Sequence, residues 1–504
     1  MRRFGRNRRP GAATLAVALS LVGCRARPQE ARSVLVLGQP TSALSLDPHL
    51  HDEESTYSTL EHFYERLVAF GSDMELLPEL ALTWQNPTDT LWRIRLRRGV
   101  VFHDGRPFEA EDVAASIRRA RGLTGSRVAY YLESVDHVRA PDPETLEIVT
   151  ARPSPVLLNK LAFIGIVPRD TPLSPVTRPV GTGPYRFVSG RPGEEIVAER
   201  FGEYWGLRPP WRRVRFLSLA DGRARAEAVA TGTVDAVSRF PFEMADWASR
   251  QKRIRLVSVR GPGVTMLGFS ARPGSPFADL RVRRAVALAI DRPGLLPPGE
   301  RRESVPIEQF VPAGVFGHIP DRPPARHDPA EAARLLARAR FRPRGELRLA
   351  FSDTHADVGR ALVGQLAVLG VNVVPETLPQ TELYARFASN PPDLFLMSWV
   401  AGTGDGSDVL EALFHSPAGG LGAANRFGYA NPELDALVAA AARSLDPAAR
   451  REALWSAFRL LDRDVPAVPL LVRSSLYAVR SDLEWTPRRH RRLRAADLRP
   501  APGS

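Results

Sequence analysis

One segment of the chain, Trp92 to Val113 (WRIRLRRGVVFHDGRPFEAEDV), constrains the fold more than any other. Between Trp92 and Arg97, apolar residues alternate with arginines. This period of two predicts a strand with one buried face. The strand is interrupted at Gly99, and the sequence Asp-Gly-Arg-Pro from Asp104 to Pro107 has the chemistry of a turn.

A helix is predicted directly after this turn. Its first turn carries the acids Glu109, Glu111 and Asp112, and arginines fill its last turn before Gly122. This charge order suits the helix dipole, and glycine is the residue most often found just past a helix end. The segment therefore predicts a strand, a turn and a helix that ends with Gly122 as its C-cap.

The same segment resembles the signature of the family 5 extracellular solute-binding proteins, the peptide, nickel and oligosaccharide receptors of bacterial ABC importers. A phrase similar to LRKGVKFHDGTPFTAEDV recurs in that family. Further family-like phrases follow in the family's order at Leu46–His49 (LDPH), Tyr64–Val68, Pro78–Trp84, Gly181–Tyr185 (GTGPY), Arg225–Val237, Pro276–Asp291, Asn431–Asp435 and Asp464–Leu470. The resemblance covers nearly the whole mature chain, so the chain is identified as a member of this family.

The resemblance implies an α/β, two-lobed periplasmic-binding-protein-like fold of class II (cluster C), with an extra subdomain inserted in lobe I. We expect lobe I to span residues 33–270 and 466–500, with the insert at 47–184, and lobe II to span 271–465. The hinge crossings are expected near Leu267–Ser270 and Val465–Leu471. Chain length agrees with two lobes, because about 480 mature residues exceed what one hydrophobic core supports.

The first 23 residues are predicted to be a lipoprotein signal peptide. Five arginines precede an apolar stretch, Gly11–Val22, that is too short to span a bilayer core of about 30 Å. The phrase Leu21–Cys24 resembles a lipobox, and Cys24 is the only cysteine in the chain. We expect lipidation at Cys24, a tether at residues 24–32, and a soluble domain held in the periplasm or cell envelope. An ordinary secretory signal that ends near a cysteine is the alternative.

Positive charge is carried almost entirely by arginine, because Lys160 and Lys252 are the only lysines. Without the leader's arginines, the net charge of +13 falls to about +8. Nucleic-acid binding would need a clustered basic stripe with aromatic platforms, and no nucleic-acid partner is expected. The one dense cluster, Arg488–Arg494, is interpreted as a solvated or membrane-facing terminus. We expect a monomer.

Several residues invite a catalytic or metal-binding interpretation. A zinc enzyme centred on His49 and His51 is one hypothesis, but Asp52–Glu54 more readily cap a helix predicted over Ser55–Val68. His103 stands in a turn to which the family resemblance gives a structural role. Gly181–Gly183 lacks the lysine and spacing of a phosphate loop, so these glycines are expected to serve a tight turn or a close backbone approach. We expect no enzyme activity, no metal and no cofactor.

The candidate ligand site follows a predicted strand, Leu394–Met397, because clefts of α/β lobes bind ligands at strand ends. In peptide-binding members of the family, a tryptophan equivalent to Trp399 is followed three residues later by an aspartate that pairs with the peptide's amino terminus. This chain has Gly402 there. Asp405 or Asp408 could replace that carboxylate if the loop folds back. Otherwise the ligand lacks a free amine at that end.

The predicted ligand-binding residues are therefore Trp399, Val400, Ala401, Gly402, Asp405 and Asp408. His415, which could suggest a nickel chelate, is interpreted as a surface or core histidine. The expected function is capture of a peptide or similar small solute in an interlobe cleft and delivery to an ABC permease and ATPase. The alternatives are a receptor for a non-peptide solute, such as a metal chelate or oligosaccharide, and a lipoprotein that uses the fold for sensing or surface interaction.

Overall fold

The computed structural model describes residues 33–272, 274–343, 345–389 and 391–501. The leader and Cys24 lie outside these residues, so the lipoprotein prediction is not addressed by the fold. In the described part, no helix is both long and apolar enough to cross a membrane.

The strands run along the chain as β1 (Val34–Gln39), β2 (Val68–Phe70), β3 (Leu76–Pro78), β4 (Ala81–Thr88), β5 (Leu91–Leu96), β6 (Val135–Asp142), β7 (Thr145–Thr150), β8 (Tyr185–Gly190), β9 (Glu195–Arg200), β10 (Arg213–Ser218), β11 (Ala236–Val237), β12 (Ile254–Arg260), β13 (Gly263–Phe269), β14 (Val305–Pro306), β15 (Leu347–Ser352), β16 (Val373–Leu378), β17 (Leu394–Val400), β18 (Ala467–Val472), β19 (Ser474–Arg480), β20 (Leu483–Glu484) and β21 (Arg499–Pro500). The α-helices are α1 (Glu54–Leu60), α2 (Ala110–Gly122), α3 (Leu157–Leu161), α4 (Gly222–Thr231), α5 (Ala245–Ala248), α6 (Leu280–Ala289), α7 (Pro329–Arg338), α8 (Ala356–Val368), α9 (Gln380–Ser389), α10 (Ser407–Val409), α11 (Pro432–Arg443) and α12 (Pro447–Asp464).

Two large sheets organise the molecule. A seven-stranded sheet has the order β12-β19-β11-β1-β10-β9-β8, and a six-stranded sheet has the order β14-β18-β13-β17-β15-β16. Each sheet packs against its own hydrophobic clusters. The two-lobed α/β fold is therefore confirmed. A separate four-stranded sheet, β4-β5-β7-β6, is built from the chain between β1 and β8.

The chain passes between the two large sheets twice. One passage lies at residues 261–262, between β12 and β13, and the other lies at Arg473, between β18 and β19. The first comes before the position expected from the sequence and the second comes after it. The reason is that Leu267 and Phe269 are fully buried in the six-stranded sheet's core, so β13 belongs to lobe II over its whole length.

The strand and helix predicted for residues 92–122 are confirmed. Trp92, Ile94 and Leu96 are buried on one face of β5, which pairs with β4 and β7. Helix α2 begins with a capping box between Glu109 and Asp112. The predicted C-cap is wrong by one residue: Gly122 is still helical and Leu123 is the C-cap, because its amide donates to a carbonyl of the last turn and its side chain is buried.

Helix α1 is shorter than predicted. Its N-terminus is capped as expected, with the Glu53 carboxylate accepting from the amides of Ser55 and Thr56. The helix ends at Leu60, and the following carbonyls, of His62 and Phe63, accept hydrogen bonds from Tyr185 and Gly183. A distant segment therefore takes the backbone acceptors that a longer helix would have used internally.

The prediction of a solvated C-terminal arginine cluster is wrong. Arg488 pairs with Asp497 at 2.8 Å, Arg489 with Asp73 at 3.0 Å, Arg491 with Glu54 at 3.2 Å and Arg492 with Glu61 at 3.5 Å. Burial alone would raise the pKa of Glu61, but Arg492 and neighbouring cations outweigh it and lower that pKa to about 2. Arg489, Arg491 and Arg492 hold the C-terminal segment against acids between residues 54 and 73, whereas the Arg488–Asp497 pair lies within the segment itself.

Candidate functional site

A cavity of about 400 Å³ lies where the two lobes meet. Lobe I contributes Arg239 and Arg491 to its wall, and lobe II contributes residues of β13, β15, α9 and β17. Both chain passages reach the cavity, through Gly261 and Arg473. Any movement of one lobe relative to the other would therefore change the shape of this space.

A chain of hydroxyl and imidazole groups lines the lobe II side. His355 Nε2 lies 2.8 Å from Ser398 Oγ, which lies 2.8 Å from Thr265 Oγ1, while His355 Nδ1 lies 2.9 Å from Ser352 Oγ. Burial, and then the charge of Arg473, lower the pKa of His355 to about 4. The imidazole is thus neutral at neutral pH and offers one donor and one acceptor. Sequence analysis missed this group because its members come from three separate strands and from the turn after β15, and follow no motif.

The cavity wall is cationic. Among the described residues that line it, three are arginines and none is acidic. Arg473 Nε lies 3.0 Å from Oε2 of the buried Glu300. Arg239 and Arg491 share one carboxylate, that of Glu54, at 3.5 and 3.2 Å. Two guanidinium groups with one counter-ion leave a net positive charge beside the cavity, which favours an anionic group in a bound molecule.

Strand β17 carries two of the predicted binding residues, Trp399 and Val400, and extends further than predicted, through Val400. Val400 is 44% exposed and lines the cavity. Trp399 points to the opposite face of the strand and packs on the lobe II core, and its Nε1 is buried with no hydrogen-bond partner in the described part of the chain. Ala401 is buried, and its amide donates to Pro262 O at the first passage.

Gly402 begins a loop that meets lobe I. Asn159 Nδ2 donates to Thr403 O at 2.7 Å, so the loop is hydrogen-bonded to α3. A Cβ atom on Gly402 would lie 3.7 Å from Phe163 Cζ, which is an ordinary contact distance, and Gly402 does not have a positive φ. A Cβ atom therefore fits at Gly402, the position where the family resemblance implies an aspartate in peptide-binding members.

The two other predicted carboxylates are already engaged within lobe II. Asp405 is 3% exposed and forms a bidentate pair with Arg450 of α12. Asp408 accepts from the amide and hydroxyl of Thr403, at 3.1 and 2.5 Å. Burial raises the pKa of Asp408 to about 7, against the lowering effect of the Thr403 hydrogen bonds. The structure therefore gives both carboxylates a partner inside their own lobe.

His103 is hydrogen-bonded to the segment Gly181–Tyr185. His103 Nε2 lies 3.0 Å from Gly183 O, and the Gly181 amide donates to His103 Nδ1 at 3.3 Å. Cβ atoms on Gly181 and Gly183 would lie 2.2 and 2.5 Å from the carbonyls of Phe63 and His62, respectively. The prediction that these glycines serve a close backbone approach is confirmed, and His103 fixes the same turn.

His49 and His415, two further histidines considered in the sequence analysis, make structural contacts. His49 is fully buried between Gly165 O, at 2.9 Å from Nε2, and Arg119 Nη1, at 2.8 Å from Nδ1. Burial lowers the pKa of His49 to about 4. His415 is 8% exposed and bonds Ser416 O. No group of three or more His, Cys, Asp or Glu residues suited to a metal is found among residues 33–272, 274–343, 345–389 and 391–501.

Comparison with known proteins agrees with the fold. The sequence profile of the bacterial extracellular solute-binding proteins, family 5, middle region, matches residues 75–420. The chain belongs to this family. It is therefore a solute-binding protein of the type that serves ABC importers.

Named relatives and solved structures cover most of the chain. The glutathione-binding protein GsiB of Pectobacterium atrosepticum is 27% identical over 449 residues, covering 84% of this chain and 86% of that protein. GsiB of Escherichia coli K12 is 25% identical over 493 residues, covering 93% and 94%. The structure is similar to the unliganded open form of MppA, a periplasmic murein tripeptide-binding protein (TM-score 0.79, 22% identity, 93% and 98% covered). It is also similar to CtaP of Listeria monocytogenes (TM-score 0.83, 18% identity, 93% and 99% covered).

Proposed function

We propose that the protein captures a peptide or similar small solute in the cavity between its lobes and delivers it to an ABC permease and its ATPase. The observation that carries this proposal is the cavity itself, which is lined by both lobes and reached by both chain passages. A solute held by both lobes stabilises their closed arrangement through contacts that the open arrangement lacks. To move such an equilibrium from 1:99 to 99:1, the differential binding must be about 5.5 kcal/mol.

The proposed ligand-binding residues are those around the end of β17. Val400 contacts the solute directly, since its side chain lines the cavity. Trp399 lies on the opposite face of β17 and supports this strand from the lobe II core, and Ala401 and Gly402 contribute backbone groups. Asp405 and Asp408 shape the loop and would meet a ligand amine only after leaving their present partners.

Within the family's ligand range, the cavity favours a solute that carries a carboxylate or another anionic group. Three arginines and no acid line it among the described residues, and the position that supplies an amine-binding aspartate in peptide-binding relatives is Gly402. A cation buried without a counter-charge costs several kcal/mol. A non-peptide anion, or a peptide without a required free amine, is therefore the solute class that best fits the site.

We further propose that the mature protein is a monomer tethered to the outside of a membrane by lipid on Cys24, with residues 47–184 forming a subdomain inserted in lobe I. The lobes would then divide at residues 261–262 and 473. The anchor is tested with Cys24→Ser: the variant is expected in the detergent-poor phase of a phase-partition assay and the parent protein in the detergent-rich phase. Equal partition of the two would contradict lipidation.

The binding function is tested by mass spectrometry of small molecules released on denaturing the protein purified from Arg27 onward. A discrete set of anionic solutes is expected. The same solute, added back, should bind to the parent protein and bind more weakly to Val400→Trp, because the larger uncharged side chain fills the cavity. Val374→Trp, at an exposed β16 residue outside the lining of this cavity, is the control. Equal affinity for all three proteins would place the site elsewhere.

A further inference from the structure

A second cavity, of about 480 Å³, lies wholly within lobe II and shares no lining residue with the interlobe cavity. It is bounded by α6, by the chain between Glu308 and Arg326, by α12 and by β18. Its floor is apolar, with Leu288, Phe310 and Val468 among the lining residues. The volume is in the range of small-molecule sites.

Arg292 distinguishes this cavity from an ordinary surface depression. Seven arginines are buried in the described part of the chain. Four of them pair with a carboxylate: Arg66 and Arg492 with Glu61, Arg119 with Asp47, and Arg450 with Asp405. Two more are enclosed by carbonyl oxygens, three around Arg225 and four around Arg283.

Arg292 has neither kind of environment. Arg292 is 7% exposed and lines the cavity. Its one hydrogen bond within the described residues runs from Nε to Pro469 O, at 2.9 Å. Both Nη groups have no acceptor in the described part of the chain. Since buried charges in proteins are normally paired, the fork of a guanidinium facing an open cavity is the arrangement that receives a carboxylate in bidentate fashion.

Most of the other charged residues that line the cavity already have ion-pair partners. Arg322 pairs at 2.6 Å with Asp462, an acid that also lines the cavity. Arg326 pairs with Asp328, and Arg459 with Glu452 at 2.9 Å. Glu308 also lines the cavity and favours the charged form of Arg292, but it forms no ion pair with it within 4 Å. Space for an external anion therefore remains at the Nη groups.

We propose that this cavity binds a monocarboxylate with an apolar body, its carboxylate paired with Arg292 and its apolar part lying on the floor formed by α6, Phe310 and β18. The bound molecule lies against the backbone of β18, which is the strand that leads to the second passage at Arg473. The site is independent of the proposed solute site between the lobes.

The experiment titrates octanoate into the mature protein by calorimetry, with octanamide as the uncharged analogue and inorganic phosphate as the anion without an apolar body. Octanoate is expected to bind, and both comparison molecules to bind at least tenfold more weakly. Arg292→Met is expected to weaken octanoate at least tenfold while leaving the melting temperature equal or higher, because it removes an unpaired buried charge. Arg292→Lys keeps the charge without the fork and should give an intermediate loss.

Glu308→Gln decides between an external and an internal partner for Arg292. If the cavity is an anion site, this variant binds octanoate more tightly, because a competing carboxylate is gone. If Glu308 is the functional partner, the variant loses stability and gains no affinity, which would overturn the proposal. Octanoate binding that is unchanged in Arg292→Met, or octanamide binding as tight as octanoate, would also overturn it.

Discussion

Arg450 of α12 clamps Asp405 of the β17–α10 loop through two parallel hydrogen bonds, Nη1 to Oδ2 at 2.5 Å and Nη2 to Oδ1 at 2.7 Å, and both residues are buried. Asp405 Oδ1 also accepts from the Ser407 amide at 2.9 Å. The loop that follows the candidate binding residues is therefore held to lobe II by a charge pair, and the carboxylate has no free oxygen aimed at a ligand.

Asp405→Asn is expected to lower the free energy of unfolding by about 3 kcal/mol, because it leaves the Arg450 guanidinium buried beside a neutral group. The measurement is urea denaturation followed by circular dichroism. The double variant Asp405→Asn/Arg450→Met should recover part of the loss. A single variant as stable as the parent would mean that the pair contributes little.

Trp399→Ala is expected to weaken solute binding at least tenfold, or about 1.4 kcal/mol, while the protein still folds, because it removes the packing that holds the cavity-lining Val400 and Ser398 of β17 in place. Titration calorimetry with the solute identified by mass spectrometry gives the affinity. Trp247→Ala is the matched control and should bind normally, because Trp247 is also partly buried but packs in lobe I, away from β17. Unchanged affinity in Trp399→Ala would remove this residue from the site.

Gly402→Asp is expected to fold, since its Cβ would make only an ordinary contact with Phe163. It should raise the affinity for solutes with a free amine relative to their N-acetylated forms, because it restores a carboxylate at the start of the loop. Gly402→Asn, of the same shape without the charge, should not change that preference. Equal preference in the two variants would argue that no ligand amine reaches position 402.

The pKa of Asp408 gives the protein a pH-dependent stability term. The folded-state pKa, about 7, lies above the reference value of 3.8, so folding opposes ionisation of this group. The protonated Asp408 carboxyl makes its full favourable contribution to the free energy of unfolding below pH 4. That contribution is lost as the pH rises toward 7. Asp408→Asn should therefore gain stability relative to the parent at pH 8 but not at pH 4. Denaturation at both pH values checks this, and a pH-independent difference would contradict it.

Gly181→Ala is expected to destabilise the protein by more than about 2 kcal/mol, because its Cβ would lie 2.2 Å from the Phe63 carbonyl oxygen. Gly364→Ala is the control: this exposed glycine lies inside α8 with open space around it. There the substitution should stabilise by about 0.5–1 kcal/mol, since alanine favours helix. Thermal unfolding of both variants gives the sign of each change in stability. A Gly181→Ala variant as stable as the parent would mean that the turn can move away.

Local patterns were sufficient where the controlling interactions are local. The alternation in β5, the acidic cap of α2 and the capping acids before α1 follow from period, dipole and side-chain hydrogen bonds that act over a few residues. The same patterns predicted a longer α1 than the structure has. The backbone carbonyls that follow its C-terminal end accept hydrogen bonds from Gly183 and Tyr185, more than a hundred residues away.

The environment of clustered charged residues was the feature that the sequence predicted least well. The arginines from 488 to 494 look like a solvated tail when taken alone, yet four of them pair with Glu54, Glu61, Asp73 and Asp497. Whether a charged residue is exposed depends on which acids the fold places opposite it. A short stretch of sequence does not show which distant acids those will be.

By itself, the sequence determined the family, the two-lobed α/β class and the segment that carries Trp399 and Val400, because these follow from ordered phrases and from strand and helix periods. Only the tertiary structure decided which side of β17 faces the cavity, that Asp405 is bound to Arg450, and that His355, Ser398 and Thr265 form one hydrogen-bonded group. Among the buried arginines of the described residues, it also left Arg292 as the one with neither a paired carboxylate nor a carbonyl acceptor for its Nη groups. These are relations between residues far apart in the chain, and they exist only after the sheets have packed.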